Sequence, residues 1–205
     1  MACGALDLTV GSDSAGSVRV PAACQGVLGF KPTFGLIPVE GVFPFAPSFD
    51  CIGFFASSVD LIEQAFIATA DEEPAAAQDI SSIDVTALKA KGERFADLLA
   101  KLETSDFKLS EGVDLEGTIA ATAKLYEPMR LKEVYDVHRP LLDQRDKYQD
   151  VILQRVLGGE DISQENYDAA AQGVEKLREE ALALLADAPI IPVSYTHLTL
   201  PTTPY

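Results

Sequence analysis

The chain has 205 residues and a formal net charge of -16, from 32 Asp and Glu side chains against 16 Lys and Arg. A surface this acidic repels phosphate backbones and anionic lipid headgroups, so we expect neither a nucleic acid nor a membrane as a partner. Hydrophobic residues make up 47% of the sequence, which is enough for a core and excludes a wholly disordered chain.

Short strands and turns are predicted for the first part of the chain. Apolar runs at residues 5–10, 26–31 and 51–56 have the length and composition of strands, and Gly- and Pro-rich links separate them. Ser58 can accept a hydrogen bond from the first turn of a following helix, which the apolar pattern extends to about Thr69.

The middle of the chain is predicted to be a linker followed by a helix and a strand. Residues 71–84 are acidic, rich in Ala and interrupted by Pro, which indicates an exposed linker. Apolar residues then recur at helical spacing over residues 85–103, and residues 107–113 are a strand candidate.

Helices dominate the remainder of the chain. The pattern predicts helices over residues 115–126 and 131–156, with Pro128 and Pro140 as breaks or helix starts. Ser163 can cap a last long helix with an apolar stripe. The alternation of short strands with helices predicts a mixed α/β fold.

The end of the chain divides into a short strand and a tail of different composition. Residues 188–193 (APIIPV) are predicted to form the strand, whereas residues 194–205 (SYTHLTLPTTPY) carry no formal charge and are rich in Thr and Pro. We expect the tail to be non-native sequence, such as translated adapter read-through, and we leave it out of the fold prediction.

Cysteine usage indicates the compartment. Cys3, Cys24 and Cys51 have no metal-ligand spacing and cannot all pair, and reduced thiols are typical of a cytoplasmic protein. The N-terminus lacks the basic and apolar regions of a signal peptide. We expect a cytoplasmic location, no metal and no cofactor. Cys24 and Cys51 follow apolar neighbours, so both are predicted to be buried and unreactive.

A serine-rich loop at residues 11–23 (GSDSAGSVRVPAA) raises the question whether one of its serines is a nucleophile. A Ser-His-Asp triad explains it poorly, because His138 lies in a charged helical stretch and His197 in the tail, and no G-x-S-x-G motif is present here. A phosphate-binding loop fits weakly, because both nucleotide glycine patterns are absent. A serine activated by a lysine is the remaining alternative.

The serine-rich loop and the residues after it resemble the amidase signature family. The similarity is carried by residues 11–35 (GSDSAGSVRVPAACQGVLGFKPTFG) and continues through residues 41–66, with their Pro-x-x-x-Ser-x-Asp segment. It covers residues 5–66 and is looser over residues 113–193. The resemblance implies a mixed central sheet flanked by helices, incomplete in this chain. It also implies hydrolysis of a small carboxamide substrate, with release of ammonia or an amine and without a cofactor.

The same resemblance implies the roles of the loop residues. Ser17 matches the family's nucleophile, and the backbone N–H groups of Ser14, Ala15, Gly16 and Ser17 match its oxyanion hole. Small residues suit this role, because they let the backbone approach a substrate whose developing negative charge the fixed N–H dipoles stabilise.

Several charged residues near the loop are predicted to be structural. Asp13 and Arg19 are expected to form an internal ion pair or to anchor the backbone, and Asp50 is expected to order its own loop. Lys31 is not the family's catalytic lysine, and we expect it to be structural as well.

The family's catalytic set is a serine, a bridging serine and a lysine, and the last two lie upstream of the nucleophile. Residues 1–10 contain neither Ser nor Lys. The family also carries a longer insert with a further strand where this chain has its acidic linker. We therefore expect a fragment that is truncated at both ends, inactive toward amides on its own and prone to aggregate.

The expected domain organisation is a partial amidase domain followed by the non-native tail. The predicted divisions are residues 1–193 for the domain, with the nucleophile motif at 5–66, the linker at 71–84, the helical part at 85–187 and the strand at 188–193, and residues 194–205 for the tail.

Several functional alternatives stay open. The DSAGS segment favours an allophanate-hydrolase-like enzyme, with indole-acetamide-type or general amidases as close rivals and a component of the glutaminyl transamidosome less favoured. A non-catalytic binding or scaffold protein that kept the fold is the alternative from another class, and a phosphate-binding module is a weaker one. A homo-oligomer is compatible with the sequence.

Overall fold

The computed structural model describes residues 1–71, 82–113, 116–185 and 190–192. These residues belong to two compact units. One unit consists of Met1–Ala76 and Glu127–Tyr167, and the other consists of Ala77–Tyr126 and Asp168–Tyr205. Strands and helices alternate along the chain, which confirms the predicted mixed α/β class.

A three-stranded antiparallel sheet forms in the first unit. Its strands are β1 (Leu8–Ser12), β2 (Leu28–Phe30) and β3 (Ile52–Ala56), in the order β1-β3-β2. All three predicted strands are therefore present, although β1 lies further along the chain than its predicted range. Val10 and Phe30 both stand opposite Phe54 in the register, which places Phe54 at the centre of the sheet.

Two helices accompany the sheet, α1 (Arg19–Gln25) and α2 (Val59–Thr69). The predicted cap of α2 is confirmed, because the Ser58 hydroxyl accepts a hydrogen bond from the Leu61 N–H at 3.3 Å. Phe54 is fully buried and packs with Ile37 and Ala65. Burying these apolar side chains fixes α2 against the sheet.

The segment after α2 differs from the prediction. Residues 72–81 of the predicted linker lie outside the described residues, but its last residues, Ser82–Asp84, form strand β4. This strand pairs in parallel with β5 (Lys108–Ser110), which confirms the strand candidate at 107–113. In the described part of the chain the strands thus form two separate small sheets, whereas the resemblance implies one mixed central sheet. Strand β4 was not predicted for two reasons. Its three residues are too few for a strand pattern to be recognised, and its pairing partner β5 is distant in sequence.

The predicted helix over residues 85–103 is divided. It consists of α3 (Thr86–Lys89), a 3-10 helix (Gly92–Phe95) and α4 (Ala96–Glu103). The division falls at Gly92, whose φ of +65° lies in the left-handed region and cannot continue a right-handed helix. Val85 and Leu88 are buried, whereas Leu98 of α4 is exposed.

The proline predictions are only partly correct. Pro128 does not break the long helix α5 (Glu116–His138), which runs through it. A proline removes one helix hydrogen bond, and burial of Met129 and Val134 in the same helix favours its continuation. Pro140, by contrast, stands at the start of a 3-10 helix, Arg139–Lys147.

The last helices are α6 (Asp150–Leu157) and α7 (Gln164–Leu185). The predicted cap of α7 is confirmed, because the Ser163 hydroxyl accepts from the Asn166 N–H at 3.1 Å. Residues 190–192 are not a strand, although the Ile190 carbonyl accepts from the Asp84 N–H at 3.0 Å. The rest of the predicted strand at 188–193 and the tail at 194–205 lie outside the described residues.

A second core cluster supports the loop of residues 45–50, which precedes β3. Ala46 and Val134 are both fully buried, and they pack together with Val156 of α6. Phe45 and Phe49 also contact this cluster. The loop is therefore fixed on the helices of the first unit. Among the described residues, no helix is long and apolar enough to cross a membrane.

Candidate active site

The serine-rich loop lies between the end of β1 and the start of α1. The Asp13 N–H donates to the Cys51 carbonyl at 2.8 Å, which extends the pairing of β1 with β3 by one step. The chain then turns, and the N–H of Val20, the second residue of α1, donates to the Gly16 carbonyl at 2.8 Å. Residues 13–17, which we call the oxyanion loop, therefore connect a paired strand to a helix.

The Asp13 carboxylate organises the oxyanion loop from inside. It is fully buried and accepts hydrogen bonds from the N–H groups of Gly16 at 2.6 Å, Val18 at 3.2 Å and Arg19 at 3.2 Å. The Arg19 side chain also pairs with it. This confirms the prediction that Asp13 and Arg19 form an internal ion pair and anchor the backbone.

Burial and hydrogen bonding act in opposite directions on Asp13. Burial by itself raises the pKa of its carboxyl group, whereas the Arg19 side chain and the N–H groups of Gly16 and Arg19 lower it. The net effect lowers the pKa from 3.8 to about 2. Asp13 is therefore a stable anion at neutral pH, and it keeps its acceptor role.

Gly16 is needed at its position for two reasons. Its φ of +106° is accessible to glycine but strained for other residues, and a Cβ atom there would lie 2.9 Å from Cγ2 of Val20. Its N–H donates to Asp13. This N–H was predicted to be one of the oxyanion donors, but in the structure it donates to a carboxylate. The other predicted donors are the N–H groups of Ser14, Ala15 and Ser17.

Asp50 is the second carboxylate that contacts the oxyanion loop. Its carboxylate accepts from the N–H groups of Phe45 at 2.7 Å and Ala46 at 3.0 Å, which confirms that Asp50 orders its own loop. It also accepts a short hydrogen bond from the Ser14 hydroxyl. No local sequence pattern predicts this contact, because the two residues are 36 positions apart.

Ser17 lies on the outer side of the oxyanion loop. Its side chain is exposed, as is that of Ala15, whereas Gly16 between them is buried. Within the described residues, the Ser17 hydroxyl makes no hydrogen bond. It is accessible to a substrate, but no base activates it there.

Lys31 and His138, which were not predicted to be catalytic, contact other groups. Lys31 Nζ donates to the Pro32 carbonyl at 2.9 Å, in agreement with a structural role. His138 Nδ1 lies 2.8 Å from the Tyr148 hydroxyl, and burial lowers the pKa of this imidazole. Both residues are held by contacts outside the oxyanion loop.

The cysteine predictions are half correct. Cys51 is buried, its thiol contacts the Pro32 carbonyl, and burial raises its pKa. Cys24 is exposed, and the prediction that it is buried is wrong. The helix α1 buries its Ala22 face, so the other face carries Cys24 toward solvent.

Comparison with known proteins agrees with the resemblance. The family model described as Amidase matches residues 1–99. A glutamyl-tRNA(Gln) amidotransferase subunit of Deinococcus radiodurans is 36% identical over 130 residues, which is 63% of this chain and 26% of that protein. The corresponding mitochondrial protein of Fusarium vanettenii is 35% identical over 116 residues, or 57% of this chain and 22% of that protein. The chain thus spans about a quarter of the length of these relatives.

Solved structures show the fold. A crystal structure of an amidase superposes with a TM-score of 0.76 and 24% identity, over 88% of this chain and 43% of that one. A variant of Kluyveromyces lactis allophanate hydrolase superposes with a TM-score of 0.78 and 21% identity, over 91% of this chain and 34% of that one. The curated relatives above carry the name of the subtype that the sequence analysis favoured less, and allophanate hydrolase is similar at the level of fold. The chain is thus similar to the amidase signature family in its motif, in its fold and, over residues 1–99, in its match to the family model.

Proposed function

We propose that the protein contributes the nucleophile of an amide hydrolase, and that Ser17 is this nucleophile. The observation that carries the proposal is the exposure of Ser17 beside a backbone loop that two carboxylates, Asp13 and Asp50, hold in place. A fixed loop with accessible N–H groups is what stabilisation of a tetrahedral intermediate requires.

The proposed reaction has two halves. The Ser17 Oγ attacks the carbonyl carbon of a small carboxamide, and its proton passes to a base. The N–H groups of Ala15 and Ser17, with that of Ser14, stabilise the negative oxygen. The C–N bond then breaks, ammonia or an amine leaves with that proton, and water hydrolyses the remaining ester.

The mechanism needs a base, and the described residues near Ser17 do not contain one. The family resemblance implies a lysine and a bridging serine on the N-terminal side of the nucleophile. We propose that turnover depends on them, and that the 205-residue chain alone hydrolyses no amide.

A second candidate is a role within an amidotransferase complex. It is favoured by the identity of 35–36% over more than half of this chain to proteins named as subunits of glutamyl-tRNA(Gln) amidotransferase. Both candidates share the cleavage of an amide C–N bond by Ser17, and they differ in whether the released ammonia or amine passes into solution or to an acceptor molecule. In the first, the enzyme to which this chain contributes works as a monomer or a homo-oligomer; in the second, it works with other proteins of the complex.

A cytoplasmic location belongs to the same proposal. Its support is that Cys3, Cys24 and Cys51 are all free thiols, as is usual in a reducing compartment. Relatives named as mitochondrial proteins make that organelle the other compartment to test.

A chimera tests the role of Ser17. Residues 5–66 of this chain replace the matching segment of a family amidase, whose remainder supplies the lysine and the bridging serine. We expect the chimera to hydrolyse the host's amide substrate, and Ser17→Ala to lower kcat on the order of 10⁶-fold. Ser57→Ala is the matched control, because the Ser57 hydroxyl contacts the Asp7 carbonyl, at 3.4 Å, rather than the oxyanion loop.

The outcomes separate the alternatives. A folded Ser17→Ala chimera with undiminished turnover would overturn the proposal. A folded chimera that is inactive with Ser17 intact favours the non-catalytic scaffold. Ser17-dependent turnover by the unmodified 205-residue chain would contradict the need for an upstream base.

A further inference from the structure

We propose that Asp50 is a positioning residue for the oxyanion loop, and that it acts through the hydroxyl of Ser14. The inference rests on the proposed function, because it assigns the loop's N–H groups to the stabilisation of an oxyanion. It goes further in giving Asp50 and the Ser14 side chain a part in the chemical step, although neither touches the substrate.

The first support is the set of bonds that the Asp50 carboxylate makes. Oδ2 accepts from the N–H groups of Phe45 at 2.7 Å and Ala46 at 3.0 Å, and Oδ1 accepts from the same Ala46 N–H at 3.1 Å and from the Ser14 hydroxyl. The carboxylate thus binds both the loop of residues 45–50 and the oxyanion loop, and Oδ1 contacts both. Since a carboxylate can only accept, this single group joins two segments that are distant in sequence.

The second support is that Asp50 is itself held rigidly by the surrounding structure. Its N–H donates to the Ala46 carbonyl at 2.9 Å, and the Ala46 side chain is fully buried beside Val134 and Val156. The Ser48 N–H donates to Glu133 of α5 at 2.9 Å. The carboxylate that Ser14 contacts is therefore fixed to two helices, so Ser14 is bound to the core of the unit.

The third support is the position of Ser14 relative to the bonds of Asp13. Asp13 binds the N–H groups of Gly16 and Val18, which fixes the later part of the oxyanion loop. None of these hydrogen bonds to Asp13 restrains the peptide between Ser14 and Ala15. The hydrogen bond from the Ser14 hydroxyl to Asp50 restrains that peptide on its N-terminal side, so Ala15 lies between two restrained residues.

A purely local role for Asp50 predicts different behaviour. If Asp50 only orders residues 45–50, then removing the Ser14 hydroxyl leaves the oxyanion loop and the chemistry unchanged. If Asp50 acts through Ser14, then Ser14→Ala and Asp50→Asn have similar effects, and Ser14→Thr, which keeps the hydroxyl, restores the behaviour of the parent protein. Misplacement of a catalytic group by 1 Å can reduce a rate by about 100-fold.

The first measurement uses the 205-residue chain and needs no activity. We expect NMR relaxation to give the Ala15 N–H an order parameter of about 0.85 in the parent chain and in Ser14→Thr, and below about 0.6 in Ser14→Ala and Asp50→Asn. Ser57→Ala is the control and should match the parent chain. An Ala15 N–H that is equally rigid in Ser14→Ala and in the parent chain, or flexible in the parent chain, overturns the inference.

The second measurement uses the chimera and its host substrate. We expect Ser14→Ala to lower kcat by about 10- to 100-fold with KM within about 3-fold, and Ser14→Thr to recover kcat to within about 3-fold. An effect on KM alone, or none on kcat, overturns the inference. Because Ser14→Ala removes only a hydroxyl group and no charge, this variant carries the test even if Asp50→Asn fails to fold. If the Ser17→Ala chimera stays active, the proposed function fails, while the order parameters still decide the positioning role.

Discussion

The Arg19 guanidinium binds both oxygens of the Asp13 carboxylate, with 3.0 Å from Nε to Oδ2 and 2.9 Å from Nη2 to Oδ1. The carboxylate is fully buried, whereas 34% of the Arg19 side chain is exposed. The pair therefore carries a buried negative charge whose partner reaches solvent. The same carboxylate also binds the backbone of the oxyanion loop, so the stability of the fold and the shape of the loop depend on one side chain.

Replacing this carboxylate should destabilise the protein. We expect Asp13→Asn to lower the free energy of unfolding by about 2–3 kcal/mol at pH 7, because the amide cannot accept from all the donors and leaves Arg19 without its anion. Urea unfolding followed by circular dichroism measures this. Asp136→Asn is the matched control, since its pair with Lys132 is more exposed and should contribute less than about 1 kcal/mol.

The difference between the parent protein and Asp13→Asn should also depend on pH. The pKa of Asp13 is about 2 in the folded protein against 3.8 without the fold, so its contribution is complete above pH 4 and is lost as pH falls through 2. Unfolding curves at a series of pH values should show a constant difference from about pH 7 to 5 and a shrinking one below about pH 4. A difference that already vanishes above about pH 5 would contradict the assignment.

Gly16 should not tolerate a side chain. Because its φ is +106° and a new Cβ would lie 2.9 Å from Val20, we expect Gly16→Ala to lower the free energy of unfolding by about 1–3 kcal/mol. Gly117→Ala is the matched control. Gly117 is helical and its added Cβ would meet nothing within 4 Å, so that change should be neutral or stabilising by up to about 1 kcal/mol. Equal effects of the two substitutions in a thermal unfolding experiment would refute this reasoning.

The thiols should differ in reactivity. Cys3 and Cys24 are exposed, whereas Cys51 is buried and its pKa is raised by burial, so less of the reactive thiolate is present and reagents reach it poorly. With a disulfide reagent at about pH 8, we expect two thiols to react rapidly and the third only after denaturant is added. Cys24→Ser should remove one equivalent of the rapid phase and leave the slow phase unchanged. Rapid reaction of all three thiols would contradict the burial of Cys51.

What could be predicted from the sequence was mostly local. The Ser58 cap and the end of α2 at Thr69 follow from signals a few residues apart, and the structure has them where they were predicted. Features that depend on distant partners were missed. Strand β4 exists because β5 lies beside it, and the Ser14–Asp50 bond joins two loops that no sequence pattern relates. Pro128 shows the opposite case, in which a strong local signal was overridden by the packing of Met129 and Val134.

The arrangement of the first unit has a consequence for biosynthesis. Met1–Ala76 leaves the ribosome well before Glu127–Tyr167, yet Ser48 binds Glu133, and the Tyr167 hydroxyl donates to the same Glu133 side chain at 2.7 Å. At ordinary rates of translation, the emerging sheet waits on the order of ten seconds for these partners. During that interval a chaperone, rather than a helix of its own chain, has the opportunity to shield Phe45 and Phe49.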